Sequence, residues 1–159
     1  MAAAAHKPEP APGEAHATRD PAVPPGALLV EIRSPEGPLW TGSAKSLRVP
    51  ETLGLMGILP RHAPLIGTLE SGLTTIRQTD GTERRIITGD GFLEIAGGRV
   101  LMLVDFGEDP AKVDVARARE ARDRAVGRLR APKEDVDLVR AEAALRRALA
   151  RLRYAETSG

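Results

Sequence analysis

The chain has 159 residues and a formal net charge of +1, with 42% hydrophobic residues, 3% aromatic residues and no cysteine. So even a charge balance gives no general attraction to nucleic acid or acidic membrane, and the lack of thiols excludes disulfides, thiol catalysis and thiolate zinc sites. No run approaches the ~20 apolar residues that cross a bilayer as a helix, and scarce aromatics call for an aliphatic, tightly fitted core.

Residues 1–26 read as a disordered tail. They hold Pro8, Pro10, Pro12, Pro21, Pro24 and Pro25 among alanines, and such a composition buries too little surface to offset the entropy of ordering. His6-Lys7-Pro8-Glu9-Pro10 interrupts any apolar stretch a signal peptide would need.

From 27 to 107 the pattern is β. Leu28-Leu29-Val30-Glu31-Ile32-Arg33 begins apolar and then alternates, and Ser34-Pro35-Glu36-Gly37-Pro38 ends it as a turn. Leu73–Gln78 and Thr82–Ile87 flank Thr79-Asp80-Gly81, a strong hairpin signal. Phe92–Ala96 and Arg99–Val104 flank Gly97-Gly98 in the same way. Many short strands at this spacing predict a sandwich or barrel.

Between these runs lies Gly54-Leu55-Met56-Gly57-Ile58-Leu59-Pro60-Arg61-His62-Ala63-Pro64. Two glycines and two prolines fix a non-repeating loop backbone. Its apolar residues Leu55, Met56, Ile58 and Leu59 fit two readings: a crossover that plugs the core, or a docking loop at one end of the sandwich.

Near Asp109-Pro110 the period becomes helical, with Asp109 as a plausible N-cap and Pro110 suited to the first helical position. Ala118, Ala121, Ala125 and Leu129 recur at helical spacing until Ala131-Pro132 breaks the helix. A second helix follows, with Leu138, Ala141, Leu145, Ala148, Leu149 and Leu152 on one face. The region 108–159 therefore reads as an αα-hairpin. Its seam is mostly alanine, and each alanine buries little area, so the hairpin is expected to pack weakly and to rearrange. The overall class is α+β: an N-terminal antiparallel β-sandwich followed by a C-terminal αα-hairpin.

Catalytic signatures are missing. The sequence has no P-loop. Gly89-Asp90-Gly91-Phe92-Leu93-Glu94 lacks the third glycine of a dinucleotide loop and precedes a strand, so it reads as a β-turn. The three histidines are far apart in sequence, and no metal site is expected.

The stretch Gly57-Ile58-Leu59-Pro60-Arg61-His62-Ala63-Pro64 resembles the Gly-Ile-Leu-Pro-Gly-His-x-Pro signature of the epsilon subunits of F-type ATP synthases. Gly89-Asp90-Gly91-Phe92-Leu93-Glu94-Ile95 resembles the family's Ser-Gly-Gly-Phe-Leu-Glu-Val strand entry. The resemblance runs from about Leu28 to Ala155. It implies a non-catalytic rotor subunit of the central stalk of a proton-translocating complex, coupling the gamma subunit to the ring of c subunits. Leu55, Met56, Ile58, Pro60, Arg61 and His62 would form the docking loop towards these partners. Two departures stand out: Leu55 replaces an acidic residue thought to face the ring, and Arg61 replaces a glycine.

Val113-Asp114-Val115-Ala116-Arg117-Ala118 resembles the Ile/Leu-Asp-x-x-Arg-Ala motif of family members that bind ATP. Asp114 and Arg117, three apart, are expected on one helical face, which Arg124 continues. Arg147 and Arg151 are four apart on the second helix, so the two stripes converge if the hairpin folds. The resemblance implies Glu108, Asp114, Arg117, Arg124, Arg147 and Arg151 as an ATP site; guanidiniums suit a triphosphate as permanent planar donors. A solvated charged face, or a surface for acidic partner residues, is the alternative. The resemblance further implies no required cofactor, with ATP as a regulatory ligand. The alpha/beta catalytic hexamer would be reached by the hairpin, which would restrain ATP hydrolysis. The location would be peripheral, on the cytoplasmic side of the cell inner membrane. A stand-alone nucleotide-sensing adaptor protein is the competing reading.

Overall fold

The computed structural model describes residues 22–131 and 137–155. The expectations for residues 1–21 and for the break at Pro132 lie outside them. Nine strands precede two helices: β1 Leu28–Ser34, β2 Gly37–Glu51, β3 Gly54–Ile58, β4 Leu65–Leu69, β5 Gly72–Gln78, β6 Glu83–Thr88, β7 Gly91–Ala96, β8 Arg99–Val104 and β9 Gly107–Glu108, then α1 Val115–Arg130 and α2 Leu138–Ala155.

The sandwich is one continuous ladder, β4-β7-β8-β1-β2-β5-β6-β9, with β3 also on β2. The 15-residue β2 joins its two layers. Its first half pairs with β1, from Gly37 to Ala44. Its second half is flanked by β3 and β5, Leu47 facing Ile58 on one side and Ile76 on the other. The pairings are antiparallel apart from β1 with β8, which is parallel.

The core is aliphatic, as the composition requires. Leu28, Val30 and Ile32 alternate inward from β1, and Ile76, Leu93, Ile95, Val100 and Met102 meet them from other strands. One polar pair lies inside: Thr74 and Thr88 are fully buried, with their hydroxyls 2.8 Å apart. That mutual bond satisfies groups that would otherwise be costly to bury.

The hairpin packs on this body through α2, which lies against β5 and β6. Ile87 of β6 is fully buried yet stands outside the sandwich core cluster, on a strand that α2 touches. The helices pack on each other, and their buried side chains are Ala118 and Ala125 of α1 and Ala141, Ala148, Ala150 and Leu152 of α2. Alanine makes up most of this buried surface, as the sequence predicts, but Leu149, expected on the same face, is exposed.

Two expectations are corrected. Half of the presumed loop Gly54–Pro64 is strand β3, paired with β2 from Glu51↔Gly54 to Leu47↔Ile58. The helix does not begin at Pro110. Asp109 caps a single 3₁₀ turn, Pro110–Lys112, and Val113 returns to extended backbone. The α-helix starts only at Val115, because Asp114 claims the N-cap position.

Candidate functional site

Glu108 is fixed on β9 by pairing with Ile87 of β6. The 3₁₀ turn then brings Lys112 past it, and Asp114 opens α1. Asp114 Oδ1 accepts the backbone N–H of Arg117 at 3.0 Å. This is the preferred use of a short carboxylate at a helix start, where an N–H has no helical partner. This corrects the spacing-based expectation of a shared helical face: Asp114 is the N-cap at the end of the helix, with extended backbone, and Arg117 lies within the first turn.

A cleft of about 490 Å³ lies between these residues and α2. Glu108, Lys112, Asp114, Arg117, Arg124 and Arg151 line it, and Ala118 and Ala121 leave room at its α1 wall. Five of the six predicted ATP-site residues are therefore brought together. The sixth, Arg147, does not line this cleft: its Nη1 donates to Asp105 Oδ2 at 3.1 Å. Lys112 is an addition that the sequence pattern did not single out, since it lies on the 3₁₀ turn outside any helical stripe.

Arg151 is already engaged. Its Nε donates to Glu108 Oε2 at 2.6 Å, and its guanidinium lies 4.3 Å from the centre of the Phe106 ring. Arg124 makes a looser pair with Glu120, at 3.5 Å on the exposed face of α1. Among the described residues Lys112 and Arg117 have no carboxylate partner. The cleft therefore offers two uncompensated cations opposite an acidic edge.

A second cluster lies beside it. Asp90 sits in the turn Gly89-Asp90-Gly91. Oδ1 accepts from the Ser71 N–H at 2.8 Å and from the Ser71 hydroxyl at 2.6 Å. Oδ2 accepts from Arg146 Nη2 at 2.8 Å and Nε at 3.1 Å. Burial alone would raise the Asp90 pKa, but the Ser71 hydroxyl and the Arg146 guanidinium outweigh it and hold the carboxyl below its ordinary range. Burial pushes neighbouring Asp105 up, Arg147 pulls it down, and the Asp90 charge adds to the upward push. The Asp90 hydrogen bond raises the Arg146 pKa further.

The glycines of this turn are required by close approach. A Cβ on Gly89 would lie 1.6 Å from Asp105 Oδ1, and one on Gly91 would lie 2.0 Å from the Leu103 carbonyl oxygen. The stretch had read as a plain β-turn. The Gly-Asp-Gly spelling was the available signal, although its arginine partner lies 56 residues away.

The predicted docking residues lie on strand β3 and in the turn that follows it. Ile58 is buried in the core, Leu55 and Leu59 are 62% and 61% exposed, and Met56 is half-buried against the core. The core-plugging reading therefore fits Ile58 and Met56, while Leu55 and Leu59 stand exposed on the surface. The His62 N–H donates to the Leu59 carbonyl at 3.0 Å, closing a turn with Pro60 and Arg61 in its centre. Arg61 has φ +66°, the only described non-glycine residue in the left-handed region. His62 Nδ1 donates to the Ala63 carbonyl at 2.8 Å, which fixes the ring.

Residues 27–110 match the family "ATP synthase, Delta/Epsilon chain, beta-sandwich domain", and residues 112–156 match "ATP synthase, Delta/Epsilon chain, long alpha-helix domain". The chain is 43% identical to the ATP synthase epsilon chain of Moorella thermoacetica over 111 residues, which is 70% of this chain and 83% of that one. It is 41% identical to that of Desulfitobacterium hafniense, strain Y51, over 70% of this chain and 83% of the relative. Among solved structures, a chain of the Euglena gracilis mitochondrial ATP synthase (OSCP/F1/c-ring, rotational state 1) has a similar fold. Its TM-score is 0.69 at 17% identity, covering 91% of this chain and 87% of that one. A β-sandwich with a docked helical pair is thus the delta/epsilon class of ATP synthase subunit. Within that class, the chain belongs to the family of epsilon subunits of the F-type enzyme.

Proposed function

We propose that the chain is a non-catalytic rotor component of the central stalk of a proton-translocating ATP synthase. In this reading the sandwich couples the gamma subunit to the c ring. The edge formed by Leu55, Met56, Pro60, Arg61 and His62 contributes to that docking, and buried Ile58 anchors it. Exposure of Leu55 and Leu59 beside the fixed His62 turn supports an interface there. The complex holds the chain peripherally at the cytoplasmic side of the inner membrane. No helix among the described residues is long and apolar enough to cross a membrane.

The hairpin restrains ATP hydrolysis by leaving its docked position and reaching the alpha/beta hexamer, and ATP opposes this as a regulatory ligand. The observation that carries this reading is the cleft in which Lys112, Arg117, Arg124 and Arg151 converge. Arg117 and Lys112 are open to phosphate oxygens, Ala118 and Ala121 leave space, and Glu108 and Asp114 offer acceptors to an amino group. A ligand that binds only the docked pose shifts the equilibrium by its differential affinity. Calorimetry of the chain with ATP tests this. Wild type is expected to bind and Arg117→Ala to bind at least about tenfold more weakly, the scale of one charge-assisted phosphate contact. Absence of heat from wild type at millimolar ATP would refute the nucleotide reading. Purification of the tagged chain from cells is expected to bring gamma, alpha and beta subunits with it; recovery of the chain alone would refute the rotor reading.

A further inference from the structure

Three arginines of α2 meet three carboxylates of the sandwich: Arg146 with Asp90 at 2.8 Å, Arg147 with Asp105 at 3.1 Å and Arg151 with Glu108 at 2.6 Å. The carboxylates come from the turn before β7, the bend just after β8 and the β9 strand. The helix side chains lie within six residues of one another. All three pairs are partly sheltered, with side-chain exposures from 28% to 45%.

We propose that this row is an electrostatic latch that docks the hairpin on the sandwich without any ligand. The apolar contact is a poor alternative anchor. The helix seam is alanine, and among the buried residues of α2 only Leu152 is large. Small side chains remove little apolar area from water, so the ion pairs set the balance between docked and free hairpin. The sandwich side of the latch is rigid. Ser71 fixes the Asp90 carboxylate with two hydrogen bonds, Gly89 and Gly91 admit the turn against Asp105 and Leu103, and β9 pairing fixes Glu108. Phe106 adds an aromatic face beneath Arg151.

The latch has a consequence for the cleft, which rests on the nucleotide reading above. Arg151 serves both, so a phosphate reaching Arg151 must displace the Glu108 carboxylate. Glu108 is then a competitor of the phosphate as well as a lining residue. Neutralising it would loosen docking without ligand while leaving Arg151 freer to take one.

The native chain has no cysteine, so spin labels at Thr79→Cys in the β5–β6 turn and Val139→Cys on exposed α2 report one distance in the full-length protein. Without nucleotide at low salt, a single narrow distance is expected. In 1 M salt, which shortens the screening length to ~3 Å, the distribution is expected to broaden. Asp90→Asn or Glu108→Gln alone should raise the free-to-docked ratio about two- to fivefold, as for one partly exposed ion pair. Arg146→Gln, which leaves the sandwich untouched, should match Asp90→Asn, and the charge swap Asp90→Arg with Arg146→Asp should recover docking. A distance unchanged in the triple variant Asp90→Asn, Asp105→Asn, Glu108→Gln and in high salt would overturn the latch, as would a wild-type hairpin that is free without nucleotide. Calorimetric ATP binding is read separately, so its failure would refute the nucleotide site and leave the latch standing.

Discussion

Arg61 occupies a position where backbone and side chain disagree. The turn Leu59–His62 has proline at its second residue and a positive φ at its third, the pattern of a type II turn, which favours glycine there. An L-residue in this region is strained by roughly 1–2 kcal/mol. Arg61→Gly should therefore raise stability by about 1 kcal/mol, less the entropy that glycine loses on folding, visible as a higher urea midpoint with an unchanged slope. Lower stability would mean that the arginine side chain makes a compensating contact. The two aspartates of the latch make a contrasting pair. The Asp90 pKa is lowered in the folded chain, so its contribution is present above its ordinary value of 3.8 and is lost as pH falls through the folded value. The Asp105 pKa is raised, so the fold favours its protonated form; its ionisation subtracts stability as pH rises through the same range. Asp90→Asn should cost about 1–2 kcal/mol at pH 7, a gap that closes as pH falls below the usual carboxylate range. Asp105→Asn should be close to neutral for overall stability at pH 7, because relief of the burial cost offsets the lost pair with Arg147, whose effect is read in docking of the hairpin. Urea midpoints of both variants across pH 7 to pH 3 give the comparison, and equal losses at pH 7 would contradict the assigned shifts.

At the scale of elements, each helix begins at an aspartate. Asp114 Oδ1 caps α1 through the Arg117 N–H, and Asp137 Oδ1 accepts the Arg140 N–H at 3.0 Å. Asp114→Ala should remove about 1 kcal/mol from α1, read as loss of helical ellipticity on heating before the sandwich melts. This structural effect is separate from any role in the cleft, so Asp114→Asn, which keeps the cap but drops the charge, divides the two. The same residue illustrates what sequence reading reaches. Asp109-Pro110 and Asp114 both carry capping chemistry, and the pattern alone does not tell which one opens the α-helix. Strands β1, β5, β6, β7 and β8 were legible because alternation and Gly-rich turns mark them. The long β2 was not, because a bulge between Ala44 and Ser46 reverses its inward phase. Ala44 points inward, and after the bulge Leu47 and Val49 do, so no single period of two runs through it. Five residues of the cleft were named from the sequence: helical spacing collected Arg117 and Arg124 on one helix and Arg151 on the other, and the family resemblance added Glu108 and Asp114. The latch was not: its pairs join residues 42 to 56 positions apart, and only the docking of α2 on the sandwich edge brings them together.

The whole molecule separates into a body that carries its own core and a hairpin held from outside. Every residue of the main apolar cluster lies between Leu28 and Val104, so the sandwich does not need the helices to form its interior. What the hairpin meets is peripheral: strands β5 and β6, and the carboxylates Asp90, Asp105 and Glu108. A chain ending after Gly107 loses the pairing of Glu108 with the buried Ile87 and the helix that packs on β5 and β6. It should fold with lower stability, by about 2 kcal/mol for exposing one large aliphatic side chain, and should still unfold in one cooperative step. In membranes reconstituted with this fragment, the proposed division of labour requires ATP synthesis to persist, because coupling resides in the sandwich and its docking edge. ATP hydrolysis should rise, because the restraining helices are gone. Hydrolysis and proton pumping are read side by side with the full-length chain. A fragment that folds yet abolishes coupling would move the coupling contacts onto the hairpin, and unchanged hydrolysis would remove the restraining role from it.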